Sequence, residues 1–201
     1  MADAGGFEVK FDLDDFLEQA DAIGGALDQV PFALSRALND AATEARRSLI
    51  DETWPDHVTV RNSGFLRWAL HTEFSTKQNL VVSVEDRSGR ARLKMHDEGG
   101  VKTPRGENLA IPVGAFPHGA HGIPTAQRPA FLARKVVIGN RIYQRVGTGA
   151  NSRLRLMYVL KPSANQPADV PFTEDFETSM RRSAREHFPE RMRQAMRTRR
   201  R

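Results

Sequence analysis

Two stretches within the first 53 residues have the hydrophobic spacing of amphipathic helices. The first is predicted to cover residues 12–28, with Asp12 as its N-cap and with Phe11 and Phe16 in the positions of a hydrophobic staple. Alternating apolar residues between positions 7 and 13 predict a short strand before this helix. The chain is therefore expected to begin with a strand that leads into a helix.

The second stretch predicts a longer helix over residues 31–53. Pro31 suits the first helical position, whereas a proline disfavours helical geometry in the residue before it, so the helix is expected to stop before Trp54 and Pro55. Its apolar positions recur every three or four residues: Leu34, Leu38, Ala41, Ala45 and Leu49. This spacing predicts one buried face and one charged face.

From residue 57 to residue 160 the pattern changes to the alternation that is typical of strands. Strands are predicted at Val58–Val60, Leu80–Val84, Leu93–Met95, 131–138, 141–146 and 154–160. Gly139 and Asn140 predict a tight turn between two of them. Residues 97–130 interrupt the series, because they are rich in glycine and proline and have little regular pattern. They predict a mobile loop that becomes ordered against a partner subunit.

A proline-rich connector at residues 161–171 precedes a last predicted helix, which begins near Thr173. An apolar residue occupies every fourth position: Phe172, Phe176, Met180, Ala184, Phe188, Met192 and Met196. A spacing of four drifts by about 40° per step around a helix of 3.6 residues per turn, so the stripe is expected to leave a single straight face. Pro189 is expected to kink or interrupt the helix.

Together these elements predict an α+β fold, in which an antiparallel β-sheet or sandwich core is packed by long N-terminal and C-terminal helices. This fold also includes the long central loop. We expect an α+β core domain over residues 1–160, with helices 12–28 and 31–53, strands between 57 and 160 and the loop 97–130. Residues 161–201 then form the proline-rich connector and a basic C-terminal helix.

Charge is distributed unevenly along the chain. Residues 1–60 hold 13 acidic and 4 basic side chains, whereas residues 61–201 hold 12 acidic and 26 basic ones. Guanidinium groups pair well with phosphate oxygens, so the last arginines are candidates for contact with DNA or with an acidic protein surface. These candidates are Arg193, Arg197, Arg199, Arg200 and Arg201. A solvated helix face with a frayed tail explains the same pattern equally well.

No sequence motif indicates catalysis or cofactor binding. The chain lacks cysteine, a serine-nucleophile motif, a phosphate-binding loop and a dinucleotide fingerprint. His118 and His121 lack a third ligand at a known spacing, and Asp97 with Glu98 is too generic for an acid–base pair. We therefore expect a protein that is not an enzyme and has no metal or cofactor. The absence of an apolar leader and of a long apolar run predicts a soluble protein without membrane contact.

Three segments, in this order, resemble the phage minor tail protein Z family. They are residues 30–42 (VPFALSRALNDAA), residues 96–100 (HDEGG) followed by 109–113 (LAIPV), and residues 154–176. The resemblance implies a tail-completion or head–tail joining role without catalytic residues. It also implies a homo-oligomeric ring in the virion tail or neck, with contacts to tail-terminator, tail-tube or neck proteins, after assembly in the host cytoplasm.

The segment from Arg128 to Leu132 is similar to an Arg-Pro-Phe-Leu element of phage neck and tail-completion proteins, although Ala130 separates the proline from the phenylalanine here. With the HDEGG segment it supplies the candidate subunit-interface residues: Glu98, Gly99, Gly100, Arg128, Phe131 and Leu132. The alternative function is non-sequence-specific binding of genomic DNA through the C-terminal arginines.

Overall fold

The computed structural model describes residues 6–9, 11, 14–89, 92–114, 119 and 122–199. Its helices and antiparallel strands confirm the α+β class. The chain divides into two compact units. The helical unit comprises Met1–Glu98 and Ala168–Arg201, and the β unit comprises Gly99–Pro167. The predicted division after residue 160 is therefore wrong, because the C-terminal helix shares a core with the N-terminal helices.

The helices and strands have the following bounds. The α-helices are α1 (Asp14–Ala22), α2 (Val30–Ser48), α3 (Trp54–His57), α4 (Phe65–Ala69), α5 (Leu93–Asp97) and α6 (Phe172–Thr198). The strands are β1 (Gly6–Val9), β2 (Leu70–Glu73), β3 (Val82–Asp86), β4 (Gly100–Lys102), β5 (Leu109–Pro112), β6 (Lys135–Ile138), β7 (Arg141–Val146), β8 (Arg153–Lys161) and β9 (Ala164–Gln166). Asp12, the predicted N-cap of the first helix, lies outside the described residues.

The core of the helical unit forms where α2 and α6 pack along each other. The predicted apolar face of α2 is confirmed, since all five of its residues are buried. The stripe on α6 is also buried from Phe172 to Met192, because different neighbours cover it along its length. Phe172 stacks on Trp54, with ring centroids 5.8 Å apart, and Phe188 meets Phe16 of α1 at 5.0 Å. The helix continues through Pro189, so the predicted interruption is wrong, whereas the alternative prediction of a kink stays a prediction.

The end of α2 also differs from the prediction. The chain remains helical through a π-helical segment, Leu49–Thr53, and directly enters α3, which contains Pro55. The N–H of Trp54 donates to the carbonyl of Leu49, five residues earlier, which widens the helix at this point. A widened turn relieves the clash between a proline ring and the preceding carbonyl. Pro55 therefore lies within the helical stretch, in α3, instead of ending it.

Strand prediction was correct where several apolar residues alternate and wrong for the shortest runs. Strands β3, β7 and β8 confirm three of the predictions. Residues 58–60 form no regular element, and Leu93 with Met95 lies on α5 instead of a strand. In the helical unit β3 lies between β1 and β2 in an antiparallel sheet.

The β unit contains a four-stranded antiparallel sheet with the order β5-β8-β7-β6 and a separate pair, β4 with β9. Gly139 and Asn140 form the predicted tight turn of the β6–β7 hairpin. Strand β6 begins at Lys135 instead of residue 131. Within the predicted loop 97–130 the structure has β4, β5 and a 3-10 turn at Thr125–Gln127, so the range is not without regular structure. Its mobility stays a prediction.

Candidate functional site

The HDEGG segment holds the start of α6 in place. His96 Nδ1 lies 2.6 Å from an Asp169 carboxylate oxygen, and the His96 carbonyl accepts the backbone N–H groups of Asp169 and Val170. The ring of His96 also meets Trp54 edge-on, with centroids 5.3 Å apart. The Asp97 carboxylate accepts the backbone N–H of Thr173 at 3.0 Å. The first two residues of the motif therefore serve the helical unit's own structure.

The other three residues of this motif were predicted to form a subunit interface, and they lie at a chain junction. Glu98 ends the helical unit's first segment and is exposed. Gly99 and Gly100 have φ values of 74° and 147°, which favour glycine. Gly100 then begins β4, which pairs with β9. The backbone conformation at these two positions thus explains why both residues are glycines.

The predicted interface residues Arg128, Phe131 and Leu132 have different environments. Arg128 is exposed and donates from Nε to the carbonyl of Ile123 at 2.9 Å. Phe131 is 64% exposed, whereas Leu132 is only 5% exposed. Leu132 packs with Ile142 and other residues in the small core of the β unit. Its side chain is thus buried within its own chain, and its role at a subunit interface stays a prediction.

One side of the four-stranded sheet is packed. Ile142, Met157 and Tyr158 lie there and form the core with Leu132. A register shift between Ile142 and Tyr143 leaves Met157 as an extra residue on β8. Burial raises the pKa of Tyr158, whose hydroxyl donates to the Gln127 carbonyl at 2.7 Å. Among the described residues, the core of the β unit therefore forms on this side of the sheet, against the segment that contains the 3-10 turn.

The other side of the sheet is what we call the open face, and it is apolar as well. Side chains paired across strands lie on the same side, so the register assigns the members of this face. Its apolar members are Leu109, Ile111, Val136, Ile138, Tyr143, Leu154, Leu156 and Val159. Each is half-buried or exposed, with Ile138 54% and Leu154 43% exposed. Its basic members are Arg141, Arg145 and Lys161, which are exposed.

Positive charge is concentrated in the β unit. Residues 99–167 hold ten lysines and arginines and one acidic residue, Glu107, which gives a net charge of +9. The rest of the chain holds 20 basic and 24 acidic residues, a net charge of −4. The open face is thus an apolar surface with basic residues, on a strongly basic unit.

The C-terminal arginines, in contrast, lie beside acidic residues of the same unit. Arg199 lies 3.2 Å from an oxygen of Asp28, and Arg193 lies 3.1 Å from Glu190. Arg191 lies 2.5 Å from Asp40, and this hydrogen bond raises the pKa of its guanidinium. Arg200 and Arg201 lie outside the described residues. Part of the charge polarity along the sequence is therefore balanced within the helical unit.

The described part of the chain has few features that suit a small ligand. There, no group of three or more histidine, aspartate and glutamate side chains could hold a metal ion. His118 and His121 lie outside the described residues. A groove of about 390 Å³ in the β unit runs beside β5, between Lys102, Leu109–Pro112 and Ala164–Pro167. No helix in the described ranges has the length and hydrophobicity to span a bilayer.

Comparison with known proteins adds no relative. No protein-family model matches this chain, and neither a characterised protein nor a solved structure is significantly similar to it. Sequence reasoning missed the open face, although the alternation in RIYQRV and LRLMYVL contains it. In both segments apolar residues occur on both sides of the strand, which is the sequence signal for a sheet with two contact surfaces.

Proposed function

We propose that this chain is a structural virion protein of a tailed phage, a minor tail or tail-completion component that acts at the head–tail junction. In this role it has no catalytic activity and no cofactor. Its partners are tail-terminator, tail-tube or neck proteins and further copies of itself in a ring. It resides in the virion tail or neck and passes through the host cytoplasm during assembly.

The observation that carries the proposal is the open face. An antiparallel sheet in a monomer commonly packs one side and presents polar residues on the other. Here the second side presents Ile138, Tyr143, Leu156 and their apolar neighbours. A contiguous apolar surface of this kind is typical of a site that binds another protein. The resemblance to the minor tail protein Z family supplies the kind of assembly.

The test replaces a cross-strand pair on the open face. Tyr143 lies opposite Leu156, and we would change both to aspartate. Val137→Asp is the matched control, because Val137 is 54% exposed and pairs with Ile142 of the packed side. In a phage whose own copy of the gene is deleted, the double variant should reduce the titre by about tenfold or more, whereas the control should restore it. A folded double variant that supports a normal titre would contradict the proposal.

A second candidate function, non-sequence-specific DNA binding, is favoured by the exposure of Arg193 and Arg197 on the last turns of α6. Each phosphate contact would displace counterions, so affinity for a DNA duplex should fall steeply between about 50 and 200 mM salt. Fluorescence anisotropy with the full chain and with a chain lacking residues 197–201 tests this candidate. Equal affinities and equal salt slopes would exclude a role for the arginines within residues 197–201.

A further inference from the structure

A second exposed surface in the chain has the opposite charge to the open face. It lies on α1, where Asp14, Leu17, Glu18 and Asp21 are exposed. Their spacing of three or four residues places them on one side of the helix. The nine residues of α1 include no lysine or arginine. We call this surface the acidic face; it combines three carboxylates with the side chain of Leu17, which is 36% exposed.

Apolar residues extend the acidic face beyond the end of α1. Ile23 is 39% exposed and Leu27 is 59% exposed. Ile23 lies in the turn after α1, and Leu27 is the first residue of the 3-10 segment Leu27–Gln29. Leu17 is thus an exposed aliphatic group on the helix that carries the carboxylates. Ile23 lines a groove with Arg193 and Arg197 of α6, and Glu18 lines another with Arg185.

We propose that the open face of one copy binds the acidic face of a second copy. This inference names the partner of the open face and rests on the proposed function as an assembly subunit. Arg141 and Arg145 of the open face would meet Glu18 and Asp21. The aliphatic side chains of the open face would pack on Leu17 of the acidic face. The β unit has a net charge of +9 and the rest of the chain −4, so long-range attraction favours this orientation.

The two faces differ, so the contact is heterologous. A bound pair of copies then leaves one open face unused at one end and one acidic face unused at the other, where further copies can bind. A heterologous contact produces a ring if its rotation closes and an open filament if it does not. A nucleic acid is a less suitable occupant of the open face, because its apolar members are mainly aliphatic and Tyr143 is the aromatic one.

The experiment uses two variants that each remove one face. Arg141→Gln/Arg145→Gln removes exposed charges of the open face, and Glu18→Lys/Asp21→Lys reverses exposed charges of the acidic face, so the two altered faces do not attract each other. Their matched controls are Arg153→Gln, on the packed side of the sheet, and Glu73→Lys, on β2; both positions are exposed. Sedimentation velocity of the full chain at about 50 mM salt measures association while screening is weak.

We expect the wild type and both controls to associate as their concentration rises, and each face variant to associate about tenfold or more weakly. An equimolar mixture of the two face variants should form a 1:1 dimer and nothing larger. That mixture has one intact open face and one intact acidic face, so a single contact can form. If the contact joined two identical faces, the variant that keeps this face would pair with itself, and no 1:1 dimer of the two variants would form.

Three results would overturn the inference: a monomeric wild type at high concentration, face variants that associate like the wild type, or a mixture that stays monomeric. Loss of DNA binding by the open-face variant, with self-association unchanged, would identify nucleic acid as the occupant and also overturn it. If the open-face variant fails to enter phage particles although the wild type never self-associates, this inference fails and the proposed function stands. If the chain assembles head to tail but is absent from phage particles, the inference is supported and the proposed function is contradicted.

Discussion

The carboxylate of Asp97, at the end of α5, accepts hydrogen bonds from both the backbone N–H and the hydroxyl of Thr173, 76 positions later. Thr173 lies in the first turn of α6, where the backbone N–H groups have no partner within the helix. A negative charge there also complements the helix dipole. The start of the 27-residue helix α6 is therefore fixed by a residue from the far end of the helical unit's first segment.

We expect Asp97→Ala to lower the free energy of unfolding by about 1–2 kcal/mol, which is the usual effect of removing a helix cap. Glu98→Gln is the matched control, because Glu98 is the neighbouring acidic residue and is exposed. The control should change stability by less than about 0.5 kcal/mol. Urea unfolding followed by circular dichroism measures both variants. Equal effects of the two substitutions would show that the contact with Thr173 contributes nothing specific.

Glu44 of α2 links to α6 through the Ser183 hydroxyl and through His187 Nε2, which lies 2.9 Å from the carboxylate. The hydrogen bond from Ser183, followed by the interactions with His187, lowers the pKa of Glu44 below its ordinary value of 4.5. A carboxyl with a lower pKa in the folded state stabilises the fold above its unfolded pKa. This stabilisation is lost as the pH falls through the folded pKa.

Glu44→Gln should therefore reduce the free energy of unfolding by about 1 kcal/mol or less at pH 6, because the carboxylate is partly exposed to solvent. The free energies of unfolding of variant and wild type should converge as the pH falls through the lowered pKa of Glu44 and the wild-type carboxyl becomes protonated. Glu73→Gln, at an exposed position of β2, provides the control. A difference that stays constant from pH 6 to pH 3 would argue against the ionised carboxylate as its cause.

Phe188 is fully buried against Phe16, whereas Phe131 is 64% exposed. Phe188→Ala should cost about 3–5 kcal/mol, because it leaves a cavity where α6 packs on α1. Phe131→Ala removes the same atoms from an exposed position and should change stability by less than about 0.5 kcal/mol. Thermal unfolding of both variants gives the comparison. A similar loss for Phe131→Ala would mean that its side chain is covered in solution.

Gly147 follows β7 and has a φ of 86°, and a methyl group there would lie 2.5 Å from the carbonyl oxygen of Asn151. Gly147→Ala should thus destabilise the β7–β8 connection by about 2 kcal/mol or more, from strain and from this overlap. At Gly149, φ is also positive, at 54°, but the space is open. Gly149→Ala should cost only about 1 kcal/mol. Hydrogen exchange in β7 and β8 measures the difference, and faster exchange in both variants alike would contradict it.

The faces of the two long helices were predictable from sequence because their periodicity extends over many turns. Leu93 and Met95, in contrast, are too few to distinguish a strand from a helix, and tertiary contacts of α5 decide the outcome. Pro55 was misjudged because a π-helical segment changes the local hydrogen bonding, and no sequence pattern announces it. Local rules therefore predicted long elements and failed at short or distorted ones.

The distribution of charge between the two units could not be predicted from position along the chain. Asp40 and Arg191 are 151 positions apart in sequence, yet they pair because both belong to the helical unit. The residues of the β unit are continuous in sequence, but their common charge becomes visible only when the unit's bounds are known. Likewise, the extra residue Met157 shifts the register of β8, so the members of the open face follow from strand pairing.

The most direct test of the central claim is the amount of this chain in purified phage particles, measured by quantitative mass spectrometry. We expect a fixed, low number of wild-type copies per particle and the same number for Val137→Asp. The open-face variant Tyr143→Asp/Leu156→Asp should be reduced by about tenfold or more. Particles that lack the wild-type chain, or that contain the folded open-face variant in normal amount, would contradict the account.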